Sequence, residues 1–192
     1  RSIAVTGVQT CALPISLLLQ SLDANYGSLS FEERLYHLFE SEINQRDNKK
    51  IKRLLQTATL KDKTASLDQI EYLPKRNLDK SVIMSLASGN FINNNQNVLI
   101  TGATGVGKSF TMQCLGKRAI DLGYPTKYYR LSNLLEEIRI SRIAGTYTKT
   151  LAKISKFKLL LIDDFGVSPL KPDEINDLFE IIEDRVFNGS II

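Results

Sequence analysis

Histidine and cysteine are scarce in this chain, and their scarcity excludes several kinds of chemical site. The 192 residues include one histidine, His37, and two cysteines, Cys11 and Cys114. A single histidine leaves no multi-histidine metal site or histidine-based nucleophile constellation, and two cysteines do not make a disulfide framework. Long apolar runs are also missing, because no run approaches the ~18 residues of a membrane span. We therefore expect no membrane partner.

The composition fits one ordinary globular domain with helical additions, at 43% hydrophobic and 24% charged residues. The net charge of +4 is unevenly spread, because residues 46–63 hold seven basic residues against two aspartates. This segment is either a contact for the phosphate backbone of a nucleic acid or the solvated face of a helix. On the first interpretation, the predicted backbone contacts are Lys49, Lys50, Lys52 and Arg53.

Residues 102–109 fill every fixed position of the phosphate-binding loop G-x-x-x-x-G-K-[ST]. Residues 97–100 before the loop form a short apolar run that predicts a buried strand, and residues 110–120 after it have helical spacing. Glycines let such a loop curl so that backbone N–H groups face phosphate oxygens, and the helix N-terminus adds partial positive charge there. The alternative is a glycine-rich turn that only links strand to helix.

The loop assigns roles to individual residues. Lys108 would reach the β- and γ-phosphates of a nucleotide and act in catalysis, and the Ser109 hydroxyl would ligate Mg²⁺. The predicted nucleotide-binding residues are Gly102, Ala103, Thr104, Gly105, Val106, Gly107, Lys108, Ser109 and Phe110.

A second motif follows at residues 158–164, where four apolar residues run into two carboxylates. Such a run is typical of a strand buried on both faces of a parallel sheet, and its carboxyl end lies where α/β sheets bind ligands. Asp163 is then the candidate Mg²⁺ partner, acting through water, and Asp164 the catalytic base or orienter of the attacking water. The alternative is an Asp-Asp pair that begins a turn. The two motifs together indicate a nucleoside-triphosphate hydrolase, and the lack of an Asn-Lys-x-Asp motif argues against a GTPase.

Strands and helices alternate along the rest of the chain, which predicts an open parallel sheet with right-handed crossovers. One strand, residues 126–131, separates the two motifs. A helical stripe over residues 31–43 is followed by a second helical segment through the basic stretch. We place an N-terminal basic helical arm at residues 17–63 and an ATPase core at residues 64–192.

Residues 1–16 are excluded from this organisation. Residues 5–15 look like the in-frame translation of a common sequencing-adapter oligonucleotide, with the native gene joined at about Ser16. The rival interpretation, a signal peptide, lacks a continuous apolar core and a small-x-small cleavage site.

These elements together resemble the IstB-like ATP-binding helper proteins of insertion-sequence transposases, in the AAA+ class and close to the DnaC helicase loaders. The resemblance covers about residues 31–192 and rests on six segments. They are residues 31–35 with Glu42, residues 46–60, 97–102, 132–137, 160–166 and 178–185. The Ile-Asp-Asp-Phe-Gly and Glu-Asp-Arg contexts are more specific than the phosphate loop.

The resemblance implies an α/β P-loop NTPase of AAA+ type, with a parallel sheet of order 5-1-4-3-2 flanked by helices and preceded by a helical arm. It implies ATP and Mg²⁺ as cofactors, duplex DNA and a transposase as partners, a cytoplasmic location, and a homo-oligomer with ATP between subunits. Asp164 departs from the wider AAA+ pattern, where most members hold Glu. The family's sensor residue, arginine finger and lid would follow the strand that starts at Ser190. We therefore expect a C-terminally truncated chain that binds ATP better than it hydrolyses it.

Three other functions stay open at this point. A DnaC-like helicase loader shares the same ATPase core, and a nucleotide-binding module without activity would show the same motifs. A small-molecule kinase would need a lid of arginines, for which Arg130, Arg139 and Arg142 are a thin candidate.

Overall fold

A computed structural model of the chain describes residues 29–73 and 78–192. The predicted adapter segment therefore lies outside the described residues. The chain divides into two compact units, one ending at Lys50 and the other running from Ile51 to Ile192. Among the described residues, no helix has the length and apolar character needed to cross a membrane.

The first helix, α1, is a single uninterrupted helix over Phe31–Ala58. Ser30 and Glu33 exchange hydrogen bonds at its start, since the Ser30 N–H donates to Glu33 Oε2 at 2.8 Å and the Glu33 N–H to Ser30 Oγ at 3.3 Å. The prediction of two helical segments here is wrong. No glycine or proline lies between Phe31 and Ala58, so nothing in the sequence interrupts the backbone hydrogen bonds.

The remaining elements alternate helices and strands, as the sequence predicts. The helices are α2 Lys80–Ala87, α3 Asn90–Asn93, α4 Lys108–Asp121, α5 Leu131–Ile143, α6 Tyr147–Ile154 and α7 Pro172–Arg185. The strands are β1 Thr126–Arg130, β2 Leu159–Asp163 and β3 Ser190–Ile191, and a 3-10 turn covers Leu67–Gln69.

The three strands form one parallel sheet with β2 in the centre. All five residues of β2 are buried, as expected for a strand covered on both faces. In the β1–β2 register, Thr126 lies opposite Leu159 and Arg130 opposite Asp163. The α/β class is confirmed. With the predicted strand at residues 97–100 counted as strand 1, β1, β2 and β3 are strands 2, 3 and 4 of the order 5-1-4-3-2 that the resemblance implies. Their observed order agrees with that part of it.

Helices cover both faces of the sheet, because successive side chains of β2 point to opposite sides. Leu159 and Leu161 pack with α3 and α4 and with the last turns of α1. Leu160 and Ile162 pack with α5, α6 and α7. The sheet is thus the middle layer of three, and its carboxyl edge is left open for a site.

Residues 97–100, predicted as a buried strand, are not a strand of the sheet. The Val98 N–H donates to the Ile191 carbonyl at 2.9 Å, which places the segment beside β3, but Leu99 is 84% exposed. The Ile191 N–H donates to the Asn97 side chain at 2.9 Å and not to a backbone carbonyl, so the paired backbone bonds of a ladder are incomplete here.

Candidate nucleotide-binding site

The phosphate loop and the first turn of α4 present unpaired backbone donors. Gly105 and Gly107 adopt φ values of 82° and 91°, which only glycine accepts without strain, and Gly107 is the N-cap of α4. The first three N–H groups of the helix, at Lys108, Ser109 and Phe110, have no backbone acceptor among the described residues. This arrangement is suited to an anion, because free N–H groups and the positive end of the helix dipole converge on it.

The Lys108 ammonium group folds back over the loop. Its Nζ donates to the carbonyl oxygens of Gly102 and Ala103, each at 2.8 Å. The charge is therefore held at the mouth of the loop, where the phosphates of a nucleotide would lie beside it.

Ser109 and Asp163 are brought together from two elements. The Ser109 hydroxyl, in the first turn of α4, donates to Asp163 Oδ1 at the end of β2, at 2.7 Å. The two residues are 54 positions apart in the chain. The two side chains meet because α4 packs closely on β2. This close packing is possible because Gly116, which faces Leu161, has no Cβ atom.

Asp163 accepts four hydrogen bonds. Oδ1 accepts from the Ser109 hydroxyl and from the Asp164 N–H at 3.0 Å, and Oδ2 accepts from Lys61 Nζ and the Tyr128 hydroxyl, both at 2.9 Å. Burial alone would raise the pKa of Asp163, but the bonds from Lys61, Ser109 and Tyr128 outweigh it and hold that pKa below its usual range. Asp163 is therefore a buried, ionised carboxylate at neutral pH.

Asp164, by contrast, lies at the surface. Its side chain is 48% exposed, its φ of 60° is left-handed, and its Oδ2 lies 3.4 Å from Arg130 Nε. An aspartate tolerates this backbone conformation better than most residues. The exposed carboxylate at the edge of the sheet can accept a proton from, or orient, a water molecule.

Phe110, the last residue of the predicted nucleotide-binding set, packs away from the loop. Its half-buried ring contacts a small cluster that includes Ala65, Ile70 and Cys114. The Cys114 thiol donates to the Ser66 carbonyl at 3.2 Å, and burial raises the pKa of Cys114 to about 11. Cys114 is thus an inert core residue.

The donor set at this edge fits magnesium. A hydroxyl and a carboxylate are hard oxygen ligands, and Mg²⁺ is usually bound by one or two such groups together with substrate phosphates. Among the residues that the structure describes, no group of three or more His, Cys, Asp or Glu could hold a metal on its own. Ser109 and Asp163 are the residues that could hold Mg²⁺ beside a nucleotide.

The arginines of the kinase alternative line a groove of about 1080 Å³ beside Asp164. Arg130 pairs with Asp164, Arg139 with Glu136 and Arg142 with Asp177, which is buried. Each arginine thus has a carboxylate partner, and this arrangement gives no support to a phosphate-binding lid.

The predicted nucleic-acid contacts all lie on α1. Lys49, Lys50, Lys52 and Arg53 are exposed, and none forms an ion pair with a carboxylate in the described part of the chain. Lys61 belongs to the same basic segment of residues 46–63. Unlike these four residues, it forms an ion pair with a carboxylate, that of Asp163.

Sequence reasoning missed Lys61 and Tyr128 as residues of this site, and it named Arg130 only in the arginine cluster of the kinase alternative. Lys61 lies 102 positions before Asp163 in an irregular segment, and no motif pointed to it. Tyr128 and Arg130 had a weak signal. Both lie on the strand between the two motifs, and parallel neighbours end at the same edge of a sheet.

Comparison with known proteins gives a consistent family match. A family model described as IstB-like ATP binding protein matches residues 13–192. The chain is 40% identical to the "Insertion sequence IS1162 putative ATP-binding protein" of Pseudomonas fluorescens, over 86% of this chain and 71% of that protein. It is 33% identical to the "Putative insertion sequence ATP-binding protein y4pL" of Sinorhizobium fredii, over 85% of this chain and 66% of that protein.

Two solved structures of a replication initiator share the fold. DnaA bound to AMPPCP and single-stranded DNA superposes with a TM-score of 0.61 at 21% identity, covering 69% of this chain and 42% of that one. AMPPCP-bound DnaA from Aquifex aeolicus gives 0.60 at 20% identity, with the same coverage. The predicted fold, a parallel sheet flanked by helices with a phosphate loop, is thereby confirmed. The chain spans about two fifths of these solved chains and about two thirds of the curated relatives.

Proposed function

The chain belongs to the family of IstB-like ATP-binding proteins, and from this membership we propose that it is an ATP-hydrolysing, DNA-binding regulator that assists a transposase in DNA transposition. In this proposal its cofactors are ATP and Mg²⁺, its nucleic acid is duplex DNA, and it works in the cytoplasm as a homo-oligomer with ATP between subunits. The arm at residues 17–63 carries the DNA contacts, the core at residues 64–192 carries the ATPase, and residues 1–16 are adapter sequence.

The observation that carries the nucleotide part is the hydrogen bond of 2.7 Å between Ser109 and Asp163. This bond joins the phosphate-loop motif to the acidic strand motif, which are the two halves of the proposed magnesium–triphosphate site. The site lies at the N-terminus of α4, the positive end of the helix dipole. The free N–H groups of the loop and the Lys108 ammonium supply the donors that triphosphate oxygens require.

Each side chain then has a task in hydrolysis. Lys108 would exchange its bonds with the Gly102 and Ala103 carbonyls for bonds with phosphate oxygens, and Ser109 and Asp163 would hold the metal. When bound, Mg²⁺ neutralises charge on the phosphates during phosphoryl transfer. Asp164 orients the attacking water, and release of its ion pair with Arg130 frees its carboxylate for that task.

The transposition part is supported by the relatives' names, since both proteins described above are named as ATP-binding proteins of insertion sequences. Co-purification of the full-length protein with the transposase encoded beside it would test this part. Binding to a replicative helicase instead would favour the helicase-loader interpretation.

Replacement of Lys108 by alanine tests the nucleotide part. We expect the K108A variant to bind a non-hydrolysable ATP analogue at least about tenfold more weakly in the presence of Mg²⁺. The reason is that a charge-assisted hydrogen bond to phosphate contributes about 1.5–3 kcal/mol. Isothermal titration calorimetry measures the affinity.

Lys156→Ala is the matched control for this experiment. Lys156 is exposed, and no hydrogen bond or ion pair of its side chain is found among the described residues, so its removal should leave the affinity unchanged. Unchanged affinity in the Lys108→Ala variant would contradict the proposed site.

A further inference from the structure

The Asp163 carboxylate is saturated by protein donors. A carboxylate offers about four acceptor positions. Four donors occupy them, with Ser109 and the Asp164 N–H on Oδ1 and with Lys61 and Tyr128 on Oδ2. If Asp163 is to help hold a metal, one of these donors would therefore have to leave.

Lys61 is the donor that can leave most easily. Ser109 is fixed by helix α4, Tyr128 is a buried residue of β1, and the Asp164 N–H belongs to the backbone. Lys61 extends a long side chain from the irregular segment after α1, and that side chain is 41% exposed. Its ammonium can therefore reach water by rotating its own side chain.

The backbone around Lys61 is anchored independently of that side chain. The Lys61 N–H donates to Gln113 Oε1 at 3.1 Å, and the Thr59 hydroxyl donates to the Tyr128 carbonyl at 3.0 Å. Both bonds stay in place when the ammonium group moves. Release of Asp163 thus needs only side-chain torsions, which change within picoseconds to nanoseconds in exposed residues.

We propose that Lys61 is a built-in cation that neutralises Asp163 in the nucleotide-free protein and leaves the carboxylate when the magnesium nucleotide binds. This inference rests on the proposed function. Its physical basis is twofold. A buried carboxylate needs a compensating charge when no metal is present, and two cations at one carboxylate repel each other. Lys61 thereby sets the magnesium concentration at which the site is loaded.

Titration of Mg²⁺ against the binding of a fluorescent non-hydrolysable ATP analogue tests the proposal. In the Lys61→Met variant, we expect the magnesium concentration at half-maximal binding to fall about three- to tenfold, because the competing charge is gone. Lys61→Arg keeps the charge and should stay near the wild type. Lys61→Gln also lacks the charge, and its magnesium midpoint should fall as that of Lys61→Met does. It keeps the test valid if the Lys61→Met variant folds poorly.

Lys63→Met is the matched control, since Lys63 is exposed two positions further on and has no ion pair among the described residues. A second readout is the melting temperature. The Lys61→Met variant should melt below the wild type in EDTA, and the difference should shrink when magnesium and nucleotide are present.

The outcomes separate this inference from the proposed function. A magnesium midpoint that rises or stays the same in Lys61→Met and Lys61→Gln would overturn the role of Lys61 alone. A wild-type protein that binds no nucleotide at any magnesium concentration would overturn the proposed function, and this inference with it.

Discussion

Asp163 combines burial with a full negative charge, and its four donors account for both. An ionised carboxylate removed from water is stable only when it is paired and hydrogen-bonded. The pKa of Lys61 is raised, first by the Tyr128 hydroxyl and then by Asp163, against the opposing effect of burial. Because the pKa of Asp163 is lowered, both charges persist across the physiological pH range.

The lowered pKa of Asp163 predicts how the stability of the metal-free protein depends on pH. The group stabilises the folded state above its unfolded-state pKa of 3.8, and this contribution is lost as the pH falls through the lower folded-state pKa. At pH 7 we expect the Asp163→Asn variant to be about 1.5–3 kcal/mol less stable than the wild type, since bonds from Lys61 and Ser109 to a charged acceptor are lost. The difference should shrink below about pH 4.

Urea denaturation in EDTA from pH 3 to pH 8 measures this difference. Asp47→Asn serves as the control, because Asp47 is exposed and its exchange should leave the stability unchanged at every pH. A stability gap between Asp163→Asn and the wild type that stays constant down to pH 3 would contradict the assigned charge.

The residues of this site differ in how far the sequence could predict them. Ser109 and Asp163 each lie in a local motif, so spacing alone pointed to both of them. Lys61 and Tyr128 meet Asp163 only through tertiary packing, and no local pattern encodes that contact. Arg130 faces Asp164 because of the strand register, which sequence reasoning left open.

The placement of the site depends on close packing of α4 on β2. Gly116 of α4 faces Leu161 of β2, and a Cβ atom at Gly116 would overlap Leu161 Cδ1. Leu161 is fully buried, so it has little room to move. The glycine therefore sets the distance between helix and strand, and with it the contact of Ser109 with Asp163.

Replacement of Gly116 by alanine should destabilise the fold despite the better helix propensity of alanine. Alanine gains about 1 kcal/mol in a helix, but overpacking in a core costs about 1–3 kcal/mol. We expect a net loss of up to about 2 kcal/mol of the free energy of unfolding, measured by urea denaturation, and weaker nucleotide binding.

A shorter side chain at position 161, the residue that Gly116 faces, gives the matched test. In the Gly116→Ala, Leu161→Val double variant, the total loss should be smaller than the sum of the two single losses. Additive losses would show that Gly116 and Leu161 do not limit the approach of the helix.

The strands show the same division between local and non-local information. The apolar run of β2 predicted a doubly covered strand, and the structure confirms it. Residues 97–100 have a similar run, yet they form only one backbone hydrogen bond to β3, and the Ile191 N–H of β3 donates to the Asn97 side chain. β3 itself is held in place by Arg185, which is fully buried and donates to the Phe157 and Ser190 carbonyls. Whether an apolar segment forms a strand thus depends on the neighbouring strand with which it can pair. The hydrophobicity of the segment does not specify that partner.

At the scale of the whole molecule, basic charge and nucleotide site occupy different parts of the sequence. Lys49, Lys50, Lys52 and Arg53 lie exposed on α1, whereas Lys108 is the first residue of α4 and Asp163 the last residue of β2. A phosphate backbone is bound through such exposed cations, with the release of counterions from the DNA. Charge on α1 should therefore govern the strength of DNA binding and its dependence on salt.

Charge reversal on α1 tests this assignment. In the full-length Lys49→Glu, Lys52→Glu variant, we expect weaker duplex DNA binding and a salt dependence that is less steep by about 2, since each lost phosphate contact lowers the slope of log K against log salt by about 0.9. Fluorescence anisotropy across a range of salt concentrations measures the slope. Lys149→Glu, Lys156→Glu makes the same change of net charge at exposed positions outside α1 and should keep a slope nearer to that of the wild type. Equal slopes in the two double variants would show that DNA responds to overall charge and not to α1.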